Sequence, residues 1–255
     1  MLKTSCGQVK KYEIMKILMT AFLILTINIL FGQQERIWLE NLENPNYSSE
    51  RLEKENLISE YSKYDFSTLL TPKQDFEGFI GEDFQRIKMY FTSISKDLTD
   101  QENYLITGVS IVKNNKCDFE GKITVKQVRE FETMHFGVDN LYENAGFISQ
   151  GILIGEYELK ENPSQKHSGI FEGIMSLYWY VDKDGIIHYD KIQWYSDAYK
   201  NNQYVGSWKG YEGNTKKVCN WGESRIPFSG DLDIGTAEFS PNPKYFKNGW
   251  DDFVR

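Results

Sequence analysis

The sequence predicts an all-β protein, an antiparallel meander that is barrel-like or strongly curved, behind a short helical N-terminal extension. Three observations carry that expectation. From Asp83 onward apolar residues recur at every second position, the period at which a strand presents one face. The runs are short and punctuated by Asn, Asp and Gly, the spacing of an all-β meander. Glycines fall on the apolar faces as well as in turns, at Gly121, Gly155, Gly173, Gly206 and Gly210, where a sheet that bends or closes has least room. Closure also removes exposed edge strands.

Residues 1–32 read as a signal peptide with extra N-terminal residues. Ile17 to Phe31 is apolar except for Thr20, Thr26 and Asn28, with Lys16 ahead of it and Gln33, Gln34, Glu35 and Arg36 behind. A helix that crosses a bilayer needs about 20 apolar residues, so a shorter stretch with these flanks fits a secretory h-region. Cleavage is expected after Gly32, with Met15 as the start of translation. An uncleaved N-terminal anchor is the alternative. No Cys follows the apolar stretch, which argues against a lipid anchor. The expected location is the periplasm or the outside of the cell, with no stable membrane span after cleavage.

The whole chain carries 29 basic and 37 acidic side chains. The cut takes Lys3, Lys10, Lys11, Lys16 and Glu13, leaving 25 against 36 and a net charge of −11. Such an acidic chain argues against nucleic acid or an anionic membrane as partner. Cys6 leaves too, while Cys117 and Cys219 remain. In an oxidising compartment a bridge between them would close a loop of about a hundred residues, for which chain entropy gives roughly 4 to 5 kcal/mol at most. Two buried free thiols are the other possibility, because spacing alone does not bring Cα atoms within bridging range. With no CxxC and no Cys/His ligand spacing, neither a metal site nor a cofactor is expected.

Residues 33–82 form a helical or irregular extension. Ser48 and Ser49 are placed to cap a helix on which Leu52, Leu57, Ile58 and Tyr61 share a face, before Pro72, Gly78 and Gly81 break the pattern. Residues 83–255 form the β-rich domain. In CDFEGKITVK, Phe119, Gly121, Ile123 and Val125 alternate with charged or polar neighbours, and Asn114 and Asn115 join this strand to YLITGVSIV as a hairpin. GILIGEYELKE and GIFEGIMSLYWYVD follow with the same alternation, the second turning through Asp182 to Gly185 into IIHYDKIQWY. QYVGSWKGY and KKVCNW add two strands around Gly213 and Asn214, for about eight in all.

Familiar catalytic motifs are missing: no GxSxG, HExxH, GxxxxGK, or GxGxxG between strand and helix. His135, His167 and His188 sit singly. Asp231, Asp233 and Glu238 are the acids available to a polysaccharide-cleaving enzyme, which needs two carboxylates about 5 to 9 Å apart. Tyr157, Trp179, Trp194, Trp208, Tyr211 and Trp221 form an aromatic group that either fills the core or lines a pocket for an apolar or planar ligand. If it is a pocket, Tyr157, Trp179 and Trp208 are the binding candidates, and the ligand is a small molecule or a glycan.

The run VGSWKGY resembles the Gly-x-Trp strand of lipocalin-type barrels, although there the motif sits in the first strand. Residues 72–250 resemble a group of secreted Bacteroidota proteins with no assigned activity, through TPKQDFEGFIGEDFQR, KNNKCDFEGKI and CNWGESRIPFSGDLDIGTAEFSPNPKY. That resemblance implies export and assigns no residue a role. The expected function is therefore an exported, non-catalytic barrel that binds a small or extended ligand. A secreted carboxylate-dependent enzyme acting on polysaccharide, or an envelope interaction module, are the alternatives.

Overall fold

The computed structural model describes residues 32–45, 50–194, 196, 199–213 and 215–253. Residues 1–31 of the expected signal peptide, Cys6 among them, the Ser48 and Ser49 cap and Asn214 lie outside the described residues. Nine strands follow in order: β1 Phe76–Ile80, β2 Gln85–Lys96, β3 Asn103–Val112, β4 Asn115–Glu130, β5 Phe147–Glu161, β6 Gly169–Asp182, β7 Ile187–Tyr189, β8 Asn201–Gly210 and β9 Lys216–Glu223. Every pairing is antiparallel, and β9 returns to pair with β1 through Gly78↔Trp221 and Ile80↔Cys219. Eight strands thus close into an up-and-down barrel, the all-β barrel that the alternation predicts, while β7 sits outside on the far end of β6.

Strand β4 shows how the sequence sets the wall. Cys117, Phe119, Ile123 and Val125 are buried, while Asp118, Glu120, Lys122 and Lys126 face water. The interior they face is filled by rings. Tyr204 stacks on Trp221 with centroids 4.9 Å apart, and Tyr157 meets both at 5.4 and 5.1 Å. Phe76 and Phe91 close the other side of Tyr204. At mid-barrel these rings pack on one another, as the interiors of small barrels commonly do.

One end is plugged. Helices α2 (Ile58–Tyr61) and α3 (Ser67–Leu70) lie across it, with Tyr61 against Trp179 at 4.5 Å and its hydroxyl donating to Glu130 at 2.5 Å. The outer wall is wrapped on two sides. A helix over 32–43, α1, buries Trp38 and Leu42 with Ile152, Ile154 and Val205. The C-terminal segment packs Ile226, Leu232, Phe239 and Trp250 over Phe79, and Arg86 binds Glu77 at 2.6 Å and Asp252 at 2.7 Å beneath it.

Three expectations need correction. The sheet begins at Phe76, inside the 33–82 stretch read as extension. All five residues of β1 are buried because the C-terminal segment covers its outer face, so no alternation marks it. The helix expected through Leu52 and Tyr61 shrinks to Ile58–Tyr61, because residues 51–57 run extended beside the overhanging end of β4, which needs backbone partners there. Glu53 N donates to Glu130 O and Leu57 N to Val128 O, both at 2.8 Å. Lastly, Cys117 and Cys219 are separate buried thiols and not a disulfide. They sit on β4 and β9, four strands apart in either direction around the barrel, whereas a bridge needs Cα atoms within about 7 Å.

Candidate functional site

The end opposite the plug is bordered by the β5–β6 loop, 162–168, and by residues 211–213 and 215 between β8 and β9. Both loops are held from within. Asn162 Oδ1 accepts from Ser164 N at 3.0 Å, and Gln165 clasps Asp118, accepting from its backbone N–H at 2.8 Å and donating to its carboxylate at 3.0 Å. Tyr211 OH donates to Glu161 O at 2.9 Å, tying one loop to the base of the other.

Between them lies a cleft of about 330 Å³ lined by Gln165, His167, Trp208, Tyr211, Thr215 and Lys217, with Pro163, Ser168, Gly210 and Glu212 completing it. That size is in the range of small-molecule sites. Trp208 is half-buried, and the Lys217 ammonium stands 5.9 Å from its ring centroid. Its indole Nε1 donates at 2.9 Å to the carboxylate of Glu161, which is buried at the end of β5. The same carboxylate oxygen accepts from Gly169 N at 2.7 Å, and the other oxygen accepts from Ser110 Oγ. Burial, the largest influence, raises the Glu161 pKa against these hydrogen bonds. Every donor fixes the carboxylate, and the carboxylate in turn fixes the indole.

Nucleophilic chemistry finds little support in this arrangement. Burial first, and the Glu161 charge second, push both the Cys117 and Cys219 thiols above their usual range, away from the reactive thiolate. Among the described residues, no group of three His, Cys, Asp or Glu side chains could hold a metal ion. No described helix is long and apolar enough to cross a membrane.

The three sequence-predicted binding residues are not brought together. Trp208 lines the open cleft. Tyr157 lies at mid-barrel, buried, with its hydroxyl against the facing glycines Gly173 and Gly206 and without a hydrogen-bond partner. A Cβ added to Gly206 would sit 2.5 Å from that hydroxyl. Trp179 belongs to the plugged end, packed on Tyr61. Of the other aromatics, Trp221 is core, while Trp194 and Tyr211 are exposed on the surface.

Two acids of the enzyme alternative, Asp231 and Asp233, have local partners. Asp231 binds Lys244 and accepts from Tyr245 OH at 2.7 Å. Asp233 accepts from Arg225 at 2.5 Å and from Gly235 N at 3.0 Å, closing its own loop. Glu238 lines a separate cleft of about 170 Å³ with Gln74, Trp194 and Tyr199. Sequence reasoning missed Glu161 and Ser110. Extending the period-two face of β5 past Tyr157 and Leu159 lands on Glu161, and that of β3 past Tyr104 and Ile106 lands on Ser110.

In comparisons with family models, curated proteins and solved structures, nothing matches the chain. The geometry alone carries the functional reading.

Proposed function

We propose that this is an exported, non-catalytic binding protein that holds a small ring-shaped ligand in the cleft at the open end of its barrel, stacked on Trp208. The observation that carries the reading is the fixed indole: a half-exposed Trp in a cleft, anchored through Nε1 to a buried carboxylate, offers a preorganised face with no ordering cost on binding. Gln165, His167 and Thr215 supply polar edges around it. The packed interior supports a ligand at the mouth rather than deep inside.

Export rests on the apolar segment Ile17 to Phe31 and its flanks. The wall supports work in water. Glu120, Lys122, Glu156, Glu158 and Lys160 point outward around an apolar interior, the reverse of a barrel whose outer band faces lipid.

Native mass spectrometry of the protein recovered from its own host tests the reading. The expected spectrum shows a chain beginning at Gln33 with a non-covalent adduct that is lost on denaturation, and Trp208→Ala lowers its occupancy at least tenfold, about 1.4 kcal/mol. A wild-type spectrum with no adduct, or an adduct that Trp208→Ala leaves untouched, overturns it.

A further inference from the structure

A second cleft, of about 380 Å³, lies on the outer wall at the plugged end, away from Trp208. It is lined by Tyr142, Phe147, Tyr180, Asp182, His188 and Lys191, with Ala145 and Ile192. The registers explain how these meet. Tyr180 and Asp182 alternate onto the outer face of β6, Phe147 pairs opposite Asp182 from β5, and His188 pairs opposite Tyr180 from β7. The short outer strand β7 therefore exists beside the barrel as one bank of this groove.

The rings form a row. Phe136 and Phe147 are stacked at 6.2 Å, Phe147 and Tyr180 lie 4.4 Å apart, and His188 stacks on Tyr180 at 5.0 Å. Polar groups of both signs edge the row. Asp182 accepts from His188 Nε2 at 2.6 Å and from Ile186 N at 2.9 Å, which holds the β6–β7 turn and His188 in place, while Lys191 lines the groove as an exposed side chain.

We propose that this groove binds a sugar ring of a neutral glycan chain. The row of half-buried rings gives an apolar floor for the C–H face of a pyranose, and an acid, an imidazole and an ammonium along the groove match hydroxyl edges that both donate and accept. A charged ligand would call for one sign of charge, and a purely apolar one would desolvate the polar edge of Asp182, His188 and Lys191 with nothing gained in return. An open wall also admits a chain that continues past both ends, which the walled cleft at Trp208 does not. The groove and the mouth are separate sites, and neither proposal depends on the other.

The test is isothermal titration of the full mature chain with cellohexaose, chitohexaose and maltohexaose, each to millimolar concentration. At least one is expected to bind, with Tyr180→Ala and Phe147→Ala each weakening it tenfold or more, Tyr180→Phe retaining most of the affinity, and Trp208→Ala having no effect. Circular dichroism of each variant confirms that it is folded, and Lys191→Ala, on an exposed side chain that stands 5.6 Å from the exposed Trp194 ring, supplies a weakening substitution outside the core. Three results overturn the proposal: no binding of any oligosaccharide, binding lost in Trp208→Ala but kept in Tyr180→Ala, or self-association that Tyr180→Ala abolishes, which would make the groove an interface between copies of the chain.

Discussion

Trp208 and Glu161 form one unit: the indole Nε1 donates at 2.9 Å to a carboxylate that is itself buried at the barrel's open end. The pair couples the candidate binding face to a titrating group. Because burial raises the Glu161 pKa above the usual 4.5, the folded chain holds a proton that the unfolded chain has released between those two values. The Glu161 contribution to stability is therefore fully present below that window and is lost as pH rises through it.

Glu161→Gln tests this. Its amide oxygen can accept from both Gly169 N and Trp208 Nε1, and its amide nitrogen can donate to Ser110 Oγ, so each hydrogen bond survives without the charge. Chemical denaturation from acid to neutral pH is expected to show the wild type losing stability relative to the variant as pH rises. Some slope remains, since burial also raises Glu223 and Glu35. Equal slopes in the two proteins would contradict the assignment.

Tyr157→Phe removes a hydroxyl that is buried without a partner. Leaving such a group unpaired costs about 1–3 kcal/mol, so the substitution is expected to be neutral or to stabilise by up to about 1 kcal/mol in urea unfolding. A loss of stability would show that the hydroxyl is paired in solution.

Arg86 and Asp252 separate buried from exposed charge. Arg86 and Glu77 are both buried beneath the C-terminal segment, and Arg86→Ala strands a buried carboxylate, an expected loss of about 3–5 kcal/mol. Asp252 is 75% exposed, and Asp252→Ala is expected to cost less than about 1 kcal/mol. Thermal melts of the two variants read the contrast directly.

The thiols give a fourth prediction. Iodoacetamide is expected to label neither Cys117 nor Cys219 in the native chain and both after unfolding without reductant, since both are buried and unbridged. Labelling only after reduction would reveal a disulfide.

These residues also show what the sequence makes legible. Strand β4 was readable because one face meets the core and the other meets water. Strand β1 was not, because Phe79 is covered by Trp250 and its neighbours from the far end of the chain, so both faces are apolar. Leu52 reads as part of the helix that carries Tyr61, yet it bridges Phe131 on a strand overhang that only the folded barrel creates. For the candidate site, alternation places Tyr157, Trp179 and Trp208 on inner faces but says nothing of height along the barrel. Height is what divides them among the core, the plug and the mouth. It depends on register and on the β-bulges in β2, β4, β5 and β8.

A crystal structure of the protein purified from its own host tests the central claim most directly. The account predicts non-protein density against the Trp208 indole, bounded by Tyr211 and Lys217, with Tyr157 undisturbed in a packed interior. Density for a ligand within the barrel, with Tyr157 and Tyr204 displaced to admit it, would contradict it.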